Sequence, residues 1–205
     1  MKDRLNKLSS RLRSLNIKIA EEVEELAESI ETSNSKTPLL KDLKEKVNNA
    51  DDSGNVEKAL VTMMSYIRAM HTWFHGAHHV TGGTGFAGDH SSLYSRIYEE
   101  IQDDFDDVAE KAVGLTGEGA ACPLRIMQNA AKIISKYKSP CDLSPDEIAG
   151  EGLSIIENYL NLLEKIYQML KKDNALTLGL DDFIMGMAND YETFVYLLKQ
   201  RSADE

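Results

Sequence analysis

Cysteine is scarce in this chain of 205 residues: Cys122 and Cys141 are the only two. Two thiols are too few for a disulfide framework. They are expected as free thiols in a reducing compartment, with a single bridge closing the 122–141 segment as the other option. The fold needs no such staple, because a chain of this length buries roughly 70% of its unfolded surface. Length alone allows one domain with an extension or two small domains. Long apolar runs are missing, and none approaches the roughly 20 residues of a membrane span. The N-terminus has no apolar core of a secretion signal, since charges recur every few residues. The expected location is therefore cytoplasmic. Positive charge is in deficit, 23 Lys and Arg against 34 Asp and Glu, for a formal net charge of -11. A phosphate backbone requires a positive field, so the body of the protein is excluded as a nucleic-acid binder. Histidine is absent after position 90.

What is present is helical periodicity. Leu5, Leu8, Leu12, Leu15, Ile19, Val23, Leu26 and Ile30 recur at steps of three and four, a narrow seam close to a coiled-coil pattern. The first twenty residues hold six cations against Asp3, and residues 21–31 hold six glutamates and no cation. A helix dipole favours the opposite distribution, so a partner outside this helix is expected to receive the charges. Thr32 to Pro38 breaks the helix, a short helix over 39–49 follows, and Asp51-Asp52-Ser53-Gly54 is a turn. The expected organisation is an N-terminal helical extension over 1–52 and a compact body over 53–205.

In the body, Leu60, Met63, Met64, Ile67 and Met70 share one helical face. This predicts a first helix over 55–79, which Gly76 is placed to cut short. Thr81-Gly82-Gly83-Thr84-Gly85 lacks the lysine and the preceding strand of a phosphate-binding loop, so it reads as an inter-helix connection. Asp89 is suited to cap a second helix over 89–113, with Tyr94, Ile97, Tyr98, Ile101, Phe105 and Val108 inward. Pro123 opens a shorter helix to about Lys138. Ser144-Pro145-Asp146-Glu147 is a capping box opening a helix over 146–172. Gly179 marks the last connection before a helix over 181–200. No strand pattern competes, and the fold class is an all-α four-helix bundle with a short helix between helices two and three.

The chemistry-bearing residues are concentrated between His71 and Lys111. All five histidines lie there, His71, His75, His78, His79 and His90, followed by Glu99, Glu100, Asp103, Asp104, Asp106, Asp107 and Glu110. Imidazoles on one helix facing carboxylates on the next are the donor set of a first-row metal site. His71, His75 and His78 share a face if the first helix persists; otherwise His78 and His79 are polar loop residues. Asp104, Asp107 and Glu100 read as solvated, and Tyr98 as core. Ferritin-like bundles hold two metals with carboxylates and histidines drawn from all four helices. Here the last two helices offer no imidazole, so a centre within one subunit is expected not to form. A half-site on the first two helices, completed across a two-fold axis, remains.

That arrangement resembles one family, the Dps-type mini-ferritins. His71, Gly76 and His78 match the histidine, glycine and second histidine of the family's first helix. Asp106-Asp107-Val108-Ala109-Glu110-Lys111 matches its second helix, and Phe86 stands four residues before His90 as in the family. The loop into Pro123-Leu124 and the closing LGLDDFIMGMANDYETFVYLLKQ are also similar, so the resemblance covers roughly residues 55–200. It implies a ferritin-like bundle in a twelve-subunit homo-oligomer. It also implies iron as the metal, with zinc or manganese as substitutes, and oxidation of ferrous iron by hydrogen peroxide. His71 and His90 of one subunit would bind with Asp106 and Glu110 of its partner.

The chain departs from the family in spacing. His71 and His90 are nineteen residues apart, against twelve in the family, and His90 to Asp106 is one residue longer. Sixteen steps of 100° leave His90 about 160° away from Asp106 on a straight helix; an unwound turn or bulge would restore it. His75, one turn from His71, is a substitute donor, Glu99 on the Asp106/Glu110 stripe is another, and Asp103 lies nearby. Two other functions compete with iron oxidation: a ferritin-like bundle used structurally and docking through its N-terminal helix, and DNA compaction through the basic first twenty residues.

Overall fold

The computed structural model describes residues 53–202. The expected N-terminal helical extension, its basic segment and the expected boundary at residue 52 all lie outside the described residues. Within them the chain is all-α. Helix α1 spans Ser53–Val80, α2 Ser95–Thr116, α3 Pro123–Ile134, α4 Pro145–Lys172 and α5 Leu178–Ser202. Helix α1 packs chiefly on α2, α4 packs on α5, and α1 also meets α3 and α4. This is the expected four-helix bundle, with α3 the short helix between its halves.

The periodic apolar face of α1 is the centre of the core. Leu60, Met63, Met64, Ile67 and Met70 are fully buried, and each such side chain contributes about 1.5–3 kcal/mol relative to exposure. Ile97, Ile101 and Val108 of α2, Ile156, Tyr159 and Leu163 of α4, and Ile184, Tyr191 and Phe194 of α5 close over that face. The capping box of α4 forms in both directions: Ser144 Oγ accepts from Glu147 N, and the Glu147 carboxylate accepts from Ser144 N at 2.8 Å. The two cysteines are free thiols.

Four boundaries differ from expectation, each for a local reason. Gly76 does not end α1, because Trp73, Phe74 and Ala77 are buried on either side of it and tertiary packing carries the helix on to Val80. Helix α3 ends at Ile134 rather than near Lys138; Lys136 N and Tyr137 N turn back to the carbonyls of Ile133 and Ile134. The last connection is set by Asn174, not Gly179. Asn174 is left-handed at φ 55, and Ala175 N donates to Leu170 O at 2.9 Å, the pattern of a Schellman stop. Gly179 therefore falls inside α5. Asp89 is not the N-cap of the second helix: the helical stretch starts earlier, with a turn over Phe86–Gly88, and continues as a π-helix over Asp89–Tyr94. Asp89 sits inside it, buried, paired with Arg201 Nε of α5 at 2.7 Å, while Thr81 Oγ1 lies 3.4 Å from its other oxygen.

Candidate metal centre

Persistence of α1 past Gly76 places four histidines in its last three turns, and the π-helix brings in the fifth. Their rings form a continuous array. His71 and His75 stack with centroids 5.8 Å apart, and His75 and His78 follow at 6.5 Å. His78 lies against His90 at 3.7 Å, and His79 packs edge-on to both His75 and His78 at 4.7 and 4.8 Å. Tyr98 is half-buried at the floor of this array, edge-on to His71, His75 and His78 at 6.0, 4.9 and 5.2 Å. Its expected core role is thus combined with supporting three imidazoles. The exposed Phe86 ring covers His90 from the outside at 4.9 Å.

His78 and His79 are not loop residues. His78 is the most enclosed of the five, with 8% of its surface exposed. Its Nδ1 lies 2.8 Å from the carbonyl oxygen of His90. One nitrogen each from His78, His79 and His90 lie within 4.8 Å of one another, a group able to hold a metal ion. His79 Nε2 is also 3.3 Å from His75 Nε2. Imidazoles this close disfavour each other's charged forms. Burial first, then Arg68 and His75, holds His71 below the usual imidazole range. Desolvation, then His75, His78 and His90, lowers His79. The unprotonated form is the one that binds metal.

The carboxylates are separate. Asp106 and Glu110 are exposed on α2, as are Asp103 and Glu99 one and two turns earlier. Among the described residues no carboxylate joins the histidine group. The π-helix resolves the phase problem of His90. A π turn takes one extra residue, so the sixteen residues to Asp106 count as fifteen α-steps, leaving about 60° instead of 160°. His90 and Asp106 then lie on the same side of the helix.

Glu100 and Asp107 are exposed as expected, but Asp104 is not solvated. One of its carboxyl oxygens is buried without a hydrogen-bond partner, as is the hydroxyl of Tyr191. Desolvation, against the smaller favourable influence of the Tyr191 hydroxyl, and then Glu100, Asp190 and Asp107, push the Asp104 carboxyl up to about 7. No hydrogen bond of ordinary geometry closes between Asp104 and Tyr191. The fully buried Tyr159 of α4 and Tyr191 of α5 lie close enough to Asp104 to feel its charge, a proximity that no spacing within α2 reveals.

The pairing of His78 with His90 was missed in the sequence, although its signal was there. These two residues are twelve apart, the interval at which the resembled family sets its two histidines. Gly76 points to His71 as the first histidine, and the glycine-rich connection then lengthens its spacing to His90 to nineteen residues.

The bundle, its intervening short helix and the order of its elements define a ferritin-like fold of the Dps type. The Dps of Thermosynechococcus elongatus superposes with a TM-score of 0.63 at 18% identity, over 76% of this chain and 97% of that one. The Dps protein of Vibrio cholerae O1 gives 0.62 at 16% identity, over 73% and 90%. A tetragonal form of Mycobacterium smegmatis Dps gives 0.61 at 16%, over 73% and 87%. No protein-family model matches the chain, and neither does any curated protein. At these identities the likeness is one of fold. Among the described residues no helix is long and apolar enough to cross a membrane.

Proposed function

We propose that this protein oxidises and stores iron in the manner of a mini-ferritin, with ferrous iron as its substrate and hydrogen peroxide as oxidant. The observation that supports this is the gathering of all five imidazoles of the body at the junction of α1 and α2, with a separate, exposed carboxylate stripe further along α2. Histidine and carboxylate together suit ferrous iron. His78 and His90 supply nitrogen donors from one subunit, with His71 and His75 adjoining them. Asp106 and Glu110 of a second subunit supply oxygen donors across a two-fold axis. The carboxylates offset the growing positive charge as iron passes from ferrous to ferric. Tyr98 holds the imidazole rings in place from below. Two ferrous ions each give up one electron, and peroxide takes both with two protons to leave two waters. Zinc and manganese fit the same donors and would compete.

The assembly in this proposal is a homo-oligomer, of twelve subunits by family resemblance, in the cytoplasm. Residues 1–52 are an appended helical segment that docks or organises it, and DNA contact through the basic first twenty residues is secondary to this. Native mass measurement reads the subunit number. The activity is tested by anaerobic ferrous loading of the full chain followed by peroxide. Ferric absorbance should appear at least tenfold faster than in an Asp106→Asn, Glu110→Gln double variant or in His90→Ala. Equal rates in all three remove the proposal.

A further inference from the structure

We infer that the groove lined by α4, α1 and the end of α3 binds a small hydroxylated aromatic carboxylate. The groove shares no residue with the histidine array or with the carboxylate stripe, so this site stands whether or not the iron chemistry does.

Helix register builds the groove. Glu151, Ile155, Asn158, Leu162 and Lys165 of α4 line it. They recur at steps of three and four, which puts them on one stripe of the helix. At about 1.5 Å per residue that stripe is about 21 Å long. The half-buried ring of Tyr66, packed on Tyr159 with centroids 6.3 Å apart, adds an α1 wall. Lys136 and Tyr137 complete the lining from the turn that follows the end of α3 at Ile134. The enclosed volume is about 400 Å³, within the range of small-molecule sites.

An unmet hydrogen-bonding demand points to a ligand. The Tyr137 hydroxyl is buried and has no partner, whereas a buried phenol ordinarily finds one. Burial first, then Tyr66 and Glu151, push this phenol upward, so it stays protonated and is a donor. Both of those neighbours line the groove, which sets the hydroxyl at its wall. Glu151 is held in place by Lys138 N, which donates to one carboxylate oxygen at 3.1 Å. Lys136 and Lys165 are exposed and join no ion pair among the described residues. In a chain of formal charge -11, two unpaired ammonium groups against the one carboxylate of Glu151 give this groove a positive balance.

Chemistry selects the ligand. The two ammonium groups call for an acid, whose carboxylate they receive through charge-assisted hydrogen bonds. Tyr66, Ile155 and Leu162 give an apolar wall for a flat ring. The neighbouring Glu151 carboxylate and Tyr137 hydroxyl are an acceptor and a donor, the pair that a phenolic hydroxyl satisfies. Lys136, Asn158 and Lys165 are exposed, so the ligand enters from solvent.

The probe is 4-hydroxycinnamate, titrated calorimetrically into the full-length protein. One equivalent per chain is expected. Tyr137→Phe removes only an unpartnered hydroxyl, so it should keep the thermal midpoint or raise it while binding the probe roughly tenfold more weakly, the loss of one hydrogen bond involving a charged group. The Lys136→Gln, Lys165→Gln double variant, altered at two exposed positions, should also bind at least roughly tenfold more weakly. So should 4-ethylphenol, which keeps the ring and hydroxyl but lacks the carboxylate, with the unaltered protein. The inference is overturned if the probe gives no binding at millimolar concentration, in which case water alone satisfies the Tyr137 hydroxyl. It is equally overturned if Tyr137→Phe or the double lysine variant binds as tightly as the unaltered protein, or if 4-ethylphenol binds as tightly as the acid.

Discussion

Replacing Asp104 by Asn should stabilise the protein at alkaline pH and do almost nothing at acid pH. Asp104 loses its proton near 3.8 in the unfolded chain and only at about 7 when folded. A folded-state value raised in this way carries no penalty below the unfolded value. The penalty grows as pH rises between the two and is complete above the folded value. Three units at about 1.4 kcal/mol each set a ceiling of about 4 kcal/mol. Partial access of the carboxyl to water reduces this to about 2 kcal/mol. Asn keeps the shape, is neutral throughout, and adds an amide donor beside the unpartnered Tyr191 hydroxyl. For a chain of this size about 2 kcal/mol corresponds to a rise in Tm of roughly 4–8 °C. Calorimetry of metal-free protein at fixed subunit concentration, at about pH 8 and about pH 4, separates the two regimes. A variant less stable than the original at about pH 8, or shifted equally at both values, would refute the assignment of Asp104 as a buried, proton-holding acid.

Arg201 should prove the main support of the π-helix. It donates to Asp89 and to Asp146, each at 2.7 Å, and Asp89 has no room for solvent. Arg201→Met leaves that carboxylate uncompensated and should cost about 3 kcal/mol in chemical denaturation. Adding Asp89→Asn should recover most of the loss, and a cost that stays unchanged would assign it to something other than the ion pair. Gly152 lets α4 approach the aromatic end of α1: a Cβ there would meet a Phe74 ring carbon at 3.0 Å and Trp73 at 3.4 Å. Gly152→Val should therefore destabilise by about 1–3 kcal/mol through overpacking, read as a lower midpoint in urea. A neutral outcome would mean that the Trp73–Phe74 pair has space to move.

Much of the fold was legible because amphipathic helices announce themselves. The apolar stripe of α1, the capping box of α4 and the inward residues of α5 depend on local spacing, and local spacing survives into the structure. The ends were less legible, since they depend on which side chains neighbours bury. Gly76 is no stop because Trp73 and Phe74 pack against α4 at Gly152, and the turn before α5 is made by Asn174 rather than Gly179. The candidate centre was legible as a composition, five imidazoles followed by a run of acids, and as a phase problem between His90 and Asp106.

The sequence by itself determined that the body is an all-α bundle whose nitrogen donors all precede residue 91 and whose second helix carries its oxygen donors outward. Periodicity and residue type suffice for that, because both act within one helix. Only the tertiary structure decided that His78 and His79 belong with His90, and that Asp104 is withdrawn from water. It also decided that the second helix absorbs its extra residue in a π turn. Those outcomes rest on side chains far apart in the chain. Arg201 reaches Asp89 across 112 positions, and Tyr191 of α5 lies beside Asp104 of α2. Such meetings follow from how the helices pack together, which no single segment encodes.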